Sequence, residues 1–382
     1  MKLIKFTLFI FLVCCASFTY AQREAPIVSP EVHEDGSVTF RINAPKADEV
    51  QLQSGEIETV LGPDLEKKFA KDERGIWSLT IPAIPPGIYD YTINVDGVSN
   101  TDPSSPYVFG NRRGSRGYVE VPGRDGQPRH DEWRDVPHGS VTILWYQSNA
   151  LEGAQRRVHV YLPPDYFQNP DKEYPILYLL HGSGDNDSHW MWIGRANVIA
   201  DNLIADGKAE PLIIAMPDGH ASLEQKPGED REAFRVRNSG SFEKDLLEEV
   251  VPLVESSFRV KEGRENRAIV GLSMGGGQSL SVGLMNLDKF AWIGGFSSAA
   301  RGLDDTLATL AENADETNEK IKLLWIAIGR DDFLLERNQQ FIKQLQESKI
   351  EHTYKETEGR HQWSVWRNYL DEFIPLLFKS ER

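Results

Sequence analysis

The sequence predicts two structural units: a small all-β sandwich over residues 22–122 and a three-layer α/β domain over residues 138–382. Three observations carry this. Before residue 122, short β-branched and aromatic runs recur between Gly, Pro, Asn and Asp. After residue 138, nearly continuous apolar runs alternate with helical patterns, as expected for strands buried on both faces of a mostly parallel sheet. Between the two, "GRDGQPRHDEWRDVP" (123–137) is polar, rich in turn formers and without periodicity, as a linker would be.

From the N-terminus, residues 1–21 read as a secretory signal: Lys2 and Lys5, the apolar run "FTLFIFLVCCASF", then "TYA" before Gln22. The run is too short for a retained membrane span, so the expected location is secreted or periplasmic. Val13 and Cys14 are poor residues to precede a lipidated cysteine, which disfavours a lipoprotein. Both cysteines of the chain, Cys14 and Cys15, fall in this leader. The mature chain would therefore hold no disulfide, thiol nucleophile or Cys-ligated zinc. Without Lys2 and Lys5, 40 basic residues stand against 58 acidic ones, a net charge of −18. Such a surface repels nucleic acid and anionic lipid.

In the first unit, "GSVTFRINAP", "VQLQSG", "GIWSLTIP" and "GIYDYTINVDG" read as strands at a spacing that suggests an immunoglobulin-like sandwich. The second unit opens with "VTILWYQS" and "RRVHVYLPPDY", which alternate enough to be antiparallel edge strands. The buried strands are "YPILYLLHG", "PLIIAMPDG", "RAIVGLS" and "KLLWIAIG". Helical patterns lie between them in "GRANVIADNLIADG", "FEKDLLEEVVPLVESSF" and "RNQQFIKQLQES".

Chemistry concentrates in "RAIVGLSMGGGQSLSVGL", residues 267–284. Gly271-Leu272-Ser273-Met274-Gly275 fits G-x-S-x-G, and a strand before the serine and a helix after it supply the context of a nucleophile elbow. A serine hydroxyl needs a base to take its proton, and on this architecture an acid and then a histidine follow in chain order. Two histidines follow Ser273. His352 lies in an alternating polar strand, whereas His361 lies in the loop after it, "EGRHQW", where α/β sheets assemble their sites. The acid should follow the strand that ends at Gly329, which leaves Asp331 and Asp332 open. The oxyanion donors are expected to be the N–H of Met274, at the helix start, and that of Ser183, with Gly182 next.

These segments, with "VYLPPDY", "YPILYLLHGSGDN", "HWMWIGRANVIADNLIADGKAEPLIIAMPDGH" and "EGRHQWSVWRNYLDEFIP", resemble the feruloyl and acetylxylan esterases of carbohydrate esterase family 1 over residues 138–382. The resemblance implies an α/β-hydrolase fold, Ser273 as nucleophile and His361 of G-x-H-x-W as base. It also implies Asp332 rather than Asp331 as the acid, three residues after the strand-end glycine. The first unit is similar to the family 48 carbohydrate-binding module in "GIWSLTIPAIPPGIYDYTINVDGVSNTDP". Starch-binding members present exposed tryptophans, but Trp77 here sits in a strand and should fill the core, so bracing or shaping the esterase cleft is the expected role.

Trp190, Trp192 and Trp363, with Trp366 one helical turn beyond, flank the expected site and would form a slot for a flat aromatic acid. His220 of Asp218-Gly219-His220 would line the same rim. No P-loop, dinucleotide fingerprint or H-E-x-x-H occurs, so neither cofactor nor metal is expected. The expected activity is release of ferulate from arabinoxylan, a plant cell-wall polysaccharide ester. Acetylxylan esterase, siderophore esterase and a non-catalytic carbohydrate-binding protein are the alternatives.

Overall fold

The computed structural model describes residues 26–379, apart from 113, 125, 222–224, 299 and 301. The signal-peptide reading of residues 1–21 lies outside the described residues. The N-terminal unit is a two-sheet sandwich. One sheet holds Glu31–Val32, Val38–Asn43, Ile76–Ile81 and Ala70–Lys71; the other holds Val50–Gln53, Gly87–Val95, Gly114–Val121 and Val108–Asn111. Its longer strands turn one face to the core, where Phe40, Tyr91 and Ile93 are fully buried. Trp77 fills that core, and its indole N–H donates to the Ala44 carbonyl at 2.9 Å.

The second unit is built on an eight-stranded sheet. Its strands lie side by side as Ser140–Ser148, Ala154–Leu162, Ile213–Pro217, Ile176–Leu180, Arg267–Leu272, Trp292–Phe296, Leu323–Gly329 and Thr353–Thr357. The first two pair antiparallel, Ala154–Leu162 also meets Ile213–Pro217 antiparallel, and every later pair is parallel. Helices cover both faces, which is why the central strands read as unbroken apolar runs. The helical pattern around "FEKDLLEEVVPLVESSF" begins earlier than its apolar positions suggest. It runs Arg231–Lys244, passes through a π turn at Asp245–Val250 and ends in Val251–Ser257. Among the described residues no helix is long and apolar enough to cross a membrane.

The described residues of 123–137 contain no strand or helix, as a linker would, yet they are bolted down. Asn202 donates to the carbonyls of His130 and Glu132, and Arg129 pairs with Glu120, Asp131 and Glu132. The two units are welded at Arg367, which is 1% exposed. Its guanidinium pairs with Asp131 at 2.6 Å and donates to the carbonyls of Ile193 and Ile88. Burial alone would raise the Asp131 carboxyl, but Arg367 and Arg129 outweigh it and hold it below the usual range. An apolar seam of Ile88, Phe109, Tyr118, Ile193 and Trp363 closes the same junction.

Candidate active site

Ser273 stands between the strand Arg267–Leu272 and the helix Met274–Met285 with φ 53° and ψ −112°, a conformation a non-glycine residue adopts only when its surroundings impose it. The surroundings do so through two close approaches. A Cβ on Gly275 would lie 2.4 Å from the His181 carbonyl oxygen, and one on Gly271 would lie 2.5 Å from the Gly275 carbonyl. The Ser273 N–H donates to the Phe296 carbonyl at 2.8 Å, tying the turn to the neighbouring strand end.

His361 meets this serine from the loop after Thr353–Thr357. Its Nε2 lies 2.9 Å from Ser273 Oγ and its Nδ1 lies 2.8 Å from Asp332 Oδ2. The Asp332 side chain is wholly buried, and its other oxygen accepts the Leu334 N–H at 2.8 Å. Phe333 lies against the imidazole at 4.5 Å between ring centres, and Trp366 meets it edge-on at 4.8 Å. A carboxylate that receives Nδ1–H leaves Nε2 as the acceptor facing the hydroxyl, so this chain can withdraw the serine proton. Asp331, the other candidate acid, is exposed at the rim.

Ser273 and His361 open into a cleft of about 620 Å³. Gly182 and Ser183 border it, close enough that a Cβ on Gly182 would sit 3.5 Å from the Ser273 Cβ. Met274 is the first residue of its helix, whose opening N–H groups have no intrahelical acceptor. Among the described residues, no backbone carbonyl takes the N–H of Met274 or Ser183. Both amides remain available for an anion, and the helix N-terminus favours one.

Of the tryptophans, Trp363 and Trp366 line the cleft. Trp190 and Trp192 do not, which corrects the expectation from sequence. Both lie on the one-turn helix His189–Trp192, where residues two apart point about 200° apart and cannot share a wall. Trp190 faces inward, 1% exposed, with its N–H on the Leu180 carbonyl; Trp192 faces out, 47% exposed. His220 is also corrected. It lies behind the 182–187 loop, where its Nε2 accepts the Gly184 N–H at 3.1 Å. Burial and the neighbouring His181 lower its pKa to about 4, so it braces that loop as a neutral ring.

The sequence reading missed the wall supplied by the sandwich: Glu56, Thr59, Asp90 and Arg116 line the same cleft as Ser273. Arg116 pairs with Asp90 at 2.5 Å. Both carboxylate oxygens of Glu56 are buried, facing the backbone of Asp90 and Ser364. Desolvation and then Asp90 push this carboxyl up to about 7, against the opposing pull of Arg367. Nothing in the local sequence marks these residues, because domain packing brings them to the serine.

Residues 148–377 match the family model Esterase, described as "Putative esterase". The chain belongs to this esterase family. The esterase is 30% identical over 360 residues to an endo-1,4-beta-xylanase/feruloyl esterase of Xylanibacter ruminicola, covering 92% of this chain and 46% of that protein. The chain thus spans about half the length of that curated relative. Among solved structures, a ferulic acid esterase is 25% identical with a TM-score of 0.54, covering 62% of this chain and 97% of its own. An enterobactin esterase from Shigella flexneri aligns with a TM-score of 0.62 at 17% identity, covering 89% of this chain and 92% of its own, a likeness of fold. The esterase is thus a carboxylic ester hydrolase with an α/β-hydrolase fold behind an all-β unit.

Proposed function

We propose that this esterase hydrolyses feruloyl and related hydroxycinnamoyl esters of arabinoxylan outside the cytoplasm, through an acyl-enzyme on Ser273. His361 Nε2 takes the Ser273 proton as Oγ attacks the ester carbonyl carbon. The carbonyl oxygen becomes an oxyanion held by the N–H groups of Met274 and Ser183. Asp332 keeps Nδ1–H in place and stabilises the imidazolium. Collapse expels the sugar hydroxyl, which leaves with the proton from His361. Water then enters, gives a proton to His361 and attacks the acyl carbon; ferulate departs and Ser273 Oγ regains its proton. The observation that carries the reading is the Ser273–His361–Asp332 chain, at 2.9 and 2.8 Å, opening into a cleft walled by Trp363 and Trp366. Indole faces take a flat aromatic acid and add affinity beyond area burial, whereas an acetyl group fills little of this cleft. In this reading the sandwich shapes the cleft through Glu56, Asp90 and Arg116.

A panel of methyl ferulate, acetylated xylan and ferric enterobactin, offered to the purified full chain, tests this. Ferulate release should be fastest. Rapid acetate release with no ferulate from feruloylated arabinoxylan would reassign the acyl group, and turnover of the siderophore alone would reject the polysaccharide.

A further inference from the structure

A second cleft, of about 860 Å³, lies beside the first. Asn186 and Asp187 line it, whereas Gly182, Ser183 and Asp185 of the same loop line the cleft of Ser273. The sandwich contributes Arg112, and the first two strands of the large sheet contribute Trp145 and Arg157. Trp145 is 60% exposed, more than any other tryptophan among the described residues. Its pose is fixed by Arg157, whose guanidinium lies 5.7 Å from the ring centre and is itself held by Asp187 at 2.7 Å.

The charges of this cleft are largely neutralised within the protein. Arg112 pairs with Asp218 at 3.1 Å, Arg157 with Asp187, and the buried Arg156 donates to the carbonyls of Asp218 and His220. Paired charges give little net field for an ion, yet they leave lone pairs and N–H groups for hydroxyls. An open indole among such groups suits a ligand with a C–H face and equatorial hydroxyls, which is a neutral sugar ring.

We propose that this cleft is a second binding site, in which Trp145 stacks on the neutral sugar backbone of the polysaccharide whose ester occupies the cleft of Ser273. The choice of polysaccharide rests on the arabinoxylan reading above; the site itself rests on Trp145 and its polar surroundings. The 182–187 loop borders both clefts, so a chain crossing it engages both.

Titration calorimetry with xylohexaose, an unesterified probe, tests the site in the full chain carrying Ser273→Ala. The Ser273→Ala protein should bind, and adding Trp145→Ala should weaken binding about tenfold, the loss expected for one stacked aromatic face. Trp145→Phe, which keeps a smaller platform, should fall between them, and thermal melting should show all three folded. In active protein, Trp145→Ala should lower kcat/KM for feruloylated arabinoxylan relative to methyl ferulate. Equal affinities with and without the indole, or no binding by Ser273→Ala, would overturn the proposal. Failure of wild type to hydrolyse methyl ferulate would reject the activity reading instead, and leaves the titration to judge the site.

Discussion

Replacing Asp332 by Asn tests how the buried carboxylate acts. It receives two donors, His361 Nδ1–H on one oxygen at 2.8 Å and the Leu334 N–H on the other at 2.8 Å. An asparagine has the same size but one acceptor oxygen. The Leu334 amide is a fixed donor and claims that oxygen, which turns the NH2 group toward His361. Nδ1 then becomes the acceptor and Nε2 carries the hydrogen, so the ring cannot take the Ser273 proton. The negative charge that would stabilise the imidazolium is lost as well. The expected fall in kcat is about a thousandfold to ten-thousandfold, or roughly 4 to 5.5 kcal/mol of transition-state stabilisation. Asp331→Asn, at the exposed rim, should cost less than about threefold. Steady-state hydrolysis of methyl ferulate by both purified variants reads the difference. Near-normal turnover by Asp332→Asn together with collapse in Asp331→Asn would refute the reasoning.

Other perturbations follow from the same contacts. Arg367→Met should leave buried Asp131 with Arg129 alone and strip the Ile193 and Ile88 carbonyls of their donor, destabilising the protein by roughly 1–3 kcal/mol in urea denaturation, the cost of buried acceptors left unmet. Gly275→Ala should lower the melting temperature and abolish activity, since the new Cβ meets the His181 carbonyl at 2.4 Å and backbone must move. Glu56 is raised to about 7 by desolvation and Asp90, so the folded state keeps a proton that the unfolded chain has already released. Its contribution to stability is therefore full below the ordinary carboxyl range and declines as pH rises toward 7. Glu56→Gln should flatten the pH dependence of the melting temperature across that window and melt above wild type on its alkaline side.

Much of the fold was legible because the large sheet is buried on both faces, which writes its strands as apolar runs such as "YPILYLLHG". Ser273, His361 and Asp332 were legible for a related reason: each follows a strand end, where parallel sheets gather their loops, and the structure places them in hydrogen-bond contact. The choice between Asp331 and Asp332 needed family resemblance, since adjacent residues in one loop carry no period. The tryptophans were misread where sequence proximity stood in for direction. Trp190 and Trp192 are close in the chain but face opposite ways, one into the core and one into solvent. The wall of Glu56, Asp90 and Arg116 was invisible, because more than a hundred and fifty residues separate it from Ser273 and contacts between the units, the Arg367 junction among them, bring it there. Residues 123–137 show the same blindness: polar composition reads as a linker, while Arg129, Asp131 and Asn202 tie the segment down.

Acyl transfer through Ser273 can be seen directly by trapping the intermediate. Wild type mixed with methyl ferulate, quenched rapidly in acid and measured by intact-protein mass spectrometry should gain the mass of one feruloyl group, localised to the peptide carrying Ser273. The Ser273→Ala protein should gain none and release no ferulate. A feruloyl adduct on another residue, or ferulate release by Ser273→Ala at the wild-type rate, would contradict the account.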